Sequence, residues 1–558
     1  MVVSARLRNL AATTIGQVGE GLLAFIFVPI FLRRLGSEAW GLTSLIPLAN
    51  GVLMVVGFPL TTAINRELAR LAALGAGAPA RRRTLRAIQA IFLVLAGAAV
   101  VASWFGAPWL AERWLRPETL AVSTCVASVR LVGLYVAVLL LRSAYLGALF
   151  GMNRQIEANA ASLGAAVAVT IGGLAAIELT APSNADGTVV RFLAAQAAIQ
   201  AVGTLVAALL AWRGVSVSDR GVARRSRAES QDGPIEAPVD TLARRGVERR
   251  DDREDVRSSA HAIDGGPTSD VGEDRVWRRL WPFVRGMLLV AVAAGLVTQV
   301  DKLVASRLLT LGDYGLYAVA ATLASGIGLL VRAVNMASFP DLSRAFATDD
   351  APARLEQGAA LHRWARAVAV VVLPAGATMA ILPSAALSVW LGPEHVAPIM
   401  PPVLAALAIG WTLNGLAAPA FNTAFAAGWT GFAATQNIIA IAFMPLAMVV
   451  LVPRFGATGA ALAWTSLNAL YVLVSVPTWF FRRLLRAERR RWLVHDVALP
   501  VAASVAAVAA VRLLAPPPTT RAGATVACAI AAASALACSA AVARPGGPTA
   551  SGRAEVGR

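Results

Sequence analysis

Residues Leu35-Gly36-Ser37-Glu38-Ala39-Trp40-Gly41-Leu42 and Leu311-Gly312-Asp313-Tyr314-Gly315-Leu316 read alike: Leu-Gly, an acid, an aromatic, then Gly-Leu, with a two-residue difference in length. A second pair, Glu67-Leu68-Ala69-Arg70 and Asp341-Leu342-Ser343-Arg344, keeps the same offset of 274 residues. Each Leu-Gly motif follows an apolar run, and each acid-Leu-x-Arg motif follows the next run. The repeating unit is therefore a set of long apolar helices.

The chain around these motifs is apolar as well. Of 558 residues, 57% are hydrophobic and 15% charged, well below the roughly one quarter charged of a soluble domain. A helix needs about 20 apolar residues to cross a bilayer. Fourteen stretches qualify: 11–32, 42–64, 87–108, 120–149, 157–179, 189–212, 283–305, 313–336, 365–388, 400–426, 432–452, 457–481, 497–515 and 522–543. They read as helices because only a helix satisfies every backbone group inside one lipid-exposed segment. A soluble enzyme, a disordered chain and a disulfide-stapled secreted domain are excluded. Cys125, Cys528 and Cys538 fall in apolar spans and read as small core hydrophobes. His261, His362, His395 and His495 read as scattered over loops without metal-ligand spacing, so neither a metal nor another cofactor is expected. The first span is full length, carries Glu20 and lacks an Ala-x-Ala exit, so it reads as a helix that is kept and not cleaved.

A net charge of +18 would suggest nucleic acid in a soluble protein. Here it reads as the cytoplasmic Arg excess of a membrane protein. With the N-terminus inside, the inner segments hold 22 Arg: Arg6, Arg8, six in 65–86, Arg154, four in 337–366, six in 482–491 and three in the tail. The outer segments hold eight: Arg33, Arg34, Arg113, Arg116, Arg191, Arg307, Arg454 and Arg521. This bias predicts a multi-pass protein of the bacterial cytoplasmic membrane with both termini cytoplasmic.

Residues 213–282 carry 14 Arg and 14 acidic residues. Such mixed charge without apolar content predicts a disordered cytoplasmic linker, with docking of cytoplasmic partners as the other reading. The expected organisation is a six-helix bundle over 1–212, this linker over 213–282, a second six-helix bundle over 283–491, and two extra helices with a tail over 492–558. Six helices per unit gives the two repeats parallel topology, an arrangement that places a substrate path between the halves.

At this point the sequence resembles a known group. Phe27-Val28-Pro29-Ile30-Phe31-Leu32-Arg33-Arg34-Leu35-Gly36, running on to Trp40-Gly41-Leu42, is similar to the first hairpin of the polysaccharide-transporter flippases. These form part of the multidrug/oligosaccharidyl-lipid/polysaccharide exporter superfamily. Gln299-Val300-Asp301-Lys302-Leu303 with the Leu311 motif, Phe339-Pro340-Asp341-Leu342-Ser343 and Gly151-Met152-Asn153-Arg154 resemble the same family's later signatures. The resemblance covers roughly 5–485 in two blocks, and the long charged linker departs from it. It implies an all-α fold of two six-helix bundles around a central cavity. It also implies alternating-access transfer of polyprenyl-pyrophosphate-linked oligosaccharide, with bilayer lipids around the protein and glycosyltransferases or other polysaccharide-assembly proteins as candidate partners. Peptidoglycan-precursor flippases and drug or cation antiporters share the superfamily and are the alternative, since fold does not choose substrate.

Ionisable groups inside spans are the candidate site, because at mid-bilayer a charge costs about 2.5–3.5 kcal/mol even on the lenient scale. Arg130 lies about ten residues, hence about 15 Å, into the fourth span. Arg142 lies closer to the cytoplasm. Arg332 shares a helix face with Thr322, Ser325 and Asn335, and Arg66 and Arg285 sit at cytoplasmic ends. These five are the expected cavity cations, since a guanidinium fork matches pyrophosphate oxygens. The other reading of Arg66 and Arg285 is snorkelling to lipid headgroups. Glu20, Asp301 and Lys302 are expected either to pair with neighbouring charges or to couple an ion. An enzyme of the same pathway is disfavoured, because no catalytic constellation sits on an outer loop.

Overall fold

In a computed structural model of the protein, the structure describes residues 19–23, 25–74, 77–179, 185–229, scattered positions from 281 to 298, 299–347 and 351–543. Every regular element among them is helical. In chain order they are α1 (25–35), α2 (Ser37–Thr43), α3 (Leu45–Ala73), α4 (Ala78–Trp109), α5 (Val122–Gly151), α6 (Gln155–Glu178) and α7 (Ala185–Glu229). The second half gives α8 (299–308), α9 (Leu311–Ala345), α10 (Ala351–Ile381), α11 (Pro383–Leu391), α12 (Met400–Ala426), α13 (Thr430–Leu470), α14 (Leu499–Leu514) and α15 (Arg521–Ala543).

Helix starts follow from local chemistry. The Thr310 hydroxyl caps α9 by accepting from Asp313 N at 3.2 Å. Prolines open α4, α12 and α14, where their missing N–H costs nothing.

Eleven helices among the described residues are long and apolar enough to cross a membrane. One of them, Thr430–Arg483, covers two expected spans, divided where Gly456 takes φ 56°. The expected spans 11–32 and 283–305 lie partly outside the described residues, so fourteen is not the count found there. A second departure concerns the linker: α7 runs on to Glu229, into the stretch expected to be unfolded. The remainder of 213–282 lies outside the described residues but for Trp281. The histidines also differ from expectation. His362 lies buried within α10, and His495 belongs to the helical turn Trp492–Ala498. His261 lies outside the described residues.

The internal repeat is visible in geometry. Glu67 and Arg70 form an ion pair of 2.6 Å, and Asp341 and Arg344 the matching one of 3.6 Å. Leu68 and Leu342, between them, are both fully buried. The turn after α5 repeats after α12. Asn153 (φ 60°) and Gly428 (φ 73°) are left-handed. Arg154 N donates to Leu149 O at 2.9 Å and Asn153 N to Phe150 O at 3.0 Å. Trp429 N donates to Ala424 O at 2.8 Å and Gly428 N to Phe425 O at 3.0 Å. This is the same Schellman-type ending in both halves.

The Arg bias distinguishes the two ends of the molecule. An Arg-rich face carries the helix ends near 74, 152–154, 347 and 484–488, and an Arg-poor face carries the others. One buried apolar cluster joins the halves toward the Arg-poor face through Phe31, Leu42, Val129, Phe192, Leu309 and Tyr314, and in the second half it continues to Phe480 and Trp492 near the Arg-rich face. Toward the Arg-rich face the first half keeps its own core on α3, α4, α5 and α7, among them Leu60, Ile64, Leu85, Phe92 and Leu140. The second half has separate clusters around Val331 and around Leu342. Among the described second-half residues, only Val284 is a buried member of the first-half core. The halves thus share a core at one end and part at the other.

Candidate functional site: the cleft between the halves

The two Leu-Gly motifs face each other across the junction. A side chain at Gly41 would collide with Leu311 O, and one at Gly315 would collide with Ser37 O and lie 2.9 Å from Gly41 N. Close backbone approach is what small residues at a helix crossing permit. Tyr314, fully buried, donates its hydroxyl to Ser44 O at 3.5 Å. Leu311 N donates to Arg116 O at 2.9 Å, and Trp114 Nε1 to Ser306 Oγ at 3.1 Å. Trp390 stacks on Phe25 at 4.8 Å and donates to Phe25 O at 2.8 Å, while Arg33 donates to Leu391 O. All these ties lie at the Arg-poor face and close the cleft there.

Sequence reading finds the acid of the first motif but not its job. Glu38 is buried and accepts from three backbone amides ahead of α5: Glu118 N and Thr119 N on Oε1, and Leu120 N on Oε2, each at 2.9 Å. A side-chain carboxyl that accepts from successive loop amides supplies partners the loop's own backbone does not. The one sequence signal is an acid recurring in the repeat.

Along the cleft, α8 lies against α3. A side chain at Gly51 would collide with Gln299, and one at Gly295 with Val55. Beyond this, α3 and α9 turn accessible faces outward toward the Arg-rich end. Arg66 on α3 is exposed, as is Phe58. On α9 Arg332 is exposed, with Ser325 and Asn335 half-buried on the same side. The repeat offset of 274 matches Phe58 with Arg332. The first half therefore carries a ring at the position where the second carries a guanidinium.

The remaining expected residues are distributed differently. Arg142 is buried on α5, donates to Ser162 Oγ at 2.6 Å and lies 3.9 Å from Glu20 Oε1. Glu20 is thus paired, and its partner is Arg142, not Arg130. Arg130 is half-buried and rests 4.5 Å from the ring centroid of Trp104 on α4, with Nε donating to Trp104 O at 3.4 Å. A cation over an indole face is stabilised by about 0.5–2 kcal/mol. Asp301 pairs with Lys302 at 3.3 Å. Arg285 lies outside the described residues. The structure therefore does not gather the four described members of the expected set, Arg66, Arg130, Arg142 and Arg332, at one point.

The Glu20–Arg142 assignment has a direct test. Arg142→Ala should lower the amount of folded protein, and Glu20→Gln added to it should restore part of the loss. The expected coupling is about 1 kcal/mol, since Glu20 is 42% exposed. Arg130→Ala should show no coupling with Glu20→Gln. Double-mutant cycles on thermal midpoints in detergent check both.

Comparisons with known proteins agree with this architecture. Residues 272–399 match a family described as polysaccharide biosynthesis protein. The fold is similar to the lipid II flippase MurJ in an inward closed conformation, at 12% identity over 96% of this chain and 98% of that one, with a TM-score of 0.61. It is also similar to a multidrug resistance MATE family transporter of the MOP superfamily in an inward-facing conformation. There the identity is 12% over 84% of this chain and 96% of that one, with a TM-score of 0.56. No curated protein matches the chain by sequence. At such identities the structural likenesses speak for fold, and the family match speaks for residues 272–399. The chain thus shares the fold of these two transporters, and its residues 272–399 are similar to polysaccharide biosynthesis proteins.

Proposed function

We propose that the protein moves a polyprenyl-pyrophosphate-linked oligosaccharide across the bacterial cytoplasmic membrane, from the inner to the outer leaflet, for surface polysaccharide assembly. The Arg-rich face is the cytoplasmic one, and the cleft opens to it. The observation that carries this reading is Arg332. It lies inside the stretch matched to polysaccharide biosynthesis proteins, and it is exposed on the α9 side that bears Ser325 and Asn335.

The chemistry follows from the two walls. A pyrophosphate needs planar, bidentate donors, which a guanidinium supplies. The polyprenyl chain needs an apolar surface, and Phe58 occupies the position matched to Arg332. Arg66, exposed on α3 near the Arg-rich end, draws the headgroup from the inner leaflet. Arg130 is retained as a deeper cation on the path, steadied by Trp104. Arg142 and Glu20 hold the first half together, and Asp301 with Lys302 does the same at the start of the second.

Arg332→Ala should cut polysaccharide export at least tenfold at unchanged membrane abundance, with Arg332→Lys in between. The loss of one charge-assisted bidentate contact is about 1.5–3 kcal/mol. Polymer export in a deletion strain, and extraction of lipid-linked intermediates from the same cells, measure this. Normal export by Arg332→Ala would remove that residue from the path.

A further inference from the structure

A second polar constellation lies on the Arg-rich face of the second half, away from the cleft. There α10 meets segment 486–498 and the end of α15. His362 is 1% exposed, with Nε2 2.8 Å from Glu488 Oε2 and Nδ1 against Asp496 Oδ2. Beside it opens a cleft of about 430 Å³, lined by Arg363, Arg366, Arg491 and Glu488 with the apolar Leu355 and Ala359.

The three guanidinium groups differ in how fully they are engaged. Arg363 donates to Asp341 at 2.8 Å and to Glu356 at 3.2 Å. Arg366 donates Nε to His362 O at 3.1 Å and Nη1 to Ala543 O at 3.5 Å, and lies 3.8 Å from Asp496. Arg491 lies 3.9 Å from Glu488. Separations of 3.8 and 3.9 Å attract without hydrogen-bonding. Nη2 of Arg366 and the fork of Arg491 therefore keep donors for an oxyanion. Both acids of the cluster already face the imidazole of His362.

We propose that this cleft is a headgroup site for an anionic phospholipid, its phosphate held by Arg366 and Arg491. A basic pocket between helices at the membrane surface is suited to such a headgroup. The adjoining Arg482, Arg483, Arg486, Arg489 and Arg490 raise the positive potential around it. Leu355, largely exposed at the rim, and Ala359 offer an acyl chain the apolar surface that a free phosphate would not need. The bound lipid would bridge α10 to the end of α15 at Ala543, fastening the two extra helices to the bundle.

The test uses the full-length protein in a neutral detergent and native mass spectrometry with dioleoylphosphatidylglycerol. Dioleoylphosphatidylcholine has the same chains without net charge, and glycerol phosphate has the anion without chains. Phosphatidylglycerol alone is expected to be retained. Arg366→Gln and Arg491→Gln should each weaken its apparent affinity about tenfold, whereas Arg521→Gln on the opposite face should not. Arg491 is more than half exposed, so its replacement leaves the fold intact and keeps the test decisive. Equal retention of phosphatidylcholine, an equal effect of glycerol phosphate, or unchanged affinity in both variants would overturn the proposal. Because the readout is lipid retention, the result is independent of whether the protein moves glycans.

Discussion

Gly315→Leu is expected to abolish export while leaving the protein in the membrane. At this position any side chain meets Ser37 O and Gly41 N, both backbone atoms of the opposing motif, so no rotamer change relieves the collision. Overpacking of this kind costs about 1–3 kcal/mol, and the protein can escape it by parting the halves at the Arg-poor face. A bias of that size moves a two-state equilibrium about five- to 150-fold. The readout is Ser306→Cys, buried in the seal under Trp114, in a chain whose Cys125, Cys528 and Cys538 are replaced by alanine. A membrane-impermeant maleimide should label it slowly in the parent and rapidly with Gly315→Leu. Gly326→Leu on the same helix is the control, since a side chain there meets nothing within 4 Å. Unchanged labelling and export in Gly315→Leu would show that the crossing is not the seal.

Glu38→Ala should destabilise the first half. It strips three successive backbone amides of the loop ahead of α5 of their acceptor, the last of them in the buried Leu120. A buried orphaned donor costs about 1–3 kcal/mol, so the loss is about that of the Leu120 amide, since the exposed Glu118 and Thr119 can turn to water. Glu38→Gln keeps one acceptor oxygen but presents an amide group where a donor already points. It should lose an intermediate amount. Thermal midpoints in detergent give the comparison, and a Glu38→Ala midpoint equal to the parent's would refute its role in holding the loop ahead of α5.

The membrane fold is legible in the sequence because its signals are long-range and redundant. Apolar runs between Arg-bearing turns mark helices whatever packs on them, and the motif pair at an offset of 274 residues marks the repeat. The same motifs touch one another in the fold, which spacing alone does not reveal. Partners are what the sequence conceals. Glu20 stands in an apolar span of the sequence open to any cation, and it meets Arg142 because its helix and α5 approach there. His362 reads as a loop residue since Arg354, Arg363 and Arg366 surround it with charge. Its helix is nevertheless continuous, and acids more than a hundred residues away close on it. The length of α7 escapes for the same reason: mixed charge argues against a packed core, yet it is compatible with a helix propagated from an apolar segment.

The site is legible only as a set of residues. Depth along a span can be counted, but direction around it depends on neighbours. Arg130 and Arg142 are twelve positions apart on one helix, and they end against Trp104 and against Glu20 with Ser162. Arg332 keeps its expected company because Ser325 and Asn335 share its helix, where periodicity alone fixes the face.

The central claim is transfer of a lipid-linked glycan through the cleft between the halves. The most direct measurement places the purified protein in vesicles with a fluorescent polyprenyl-pyrophosphate oligosaccharide and follows its accessibility to a membrane-impermeant quencher. The parent is predicted to move the labelled lipid between leaflets, Arg332→Ala to do so at least tenfold more slowly, and Gly315→Leu not at all. Folded parent protein that leaves the glycan lipid in place, while the same vesicles exchange a drug or cation against a gradient, would contradict the account.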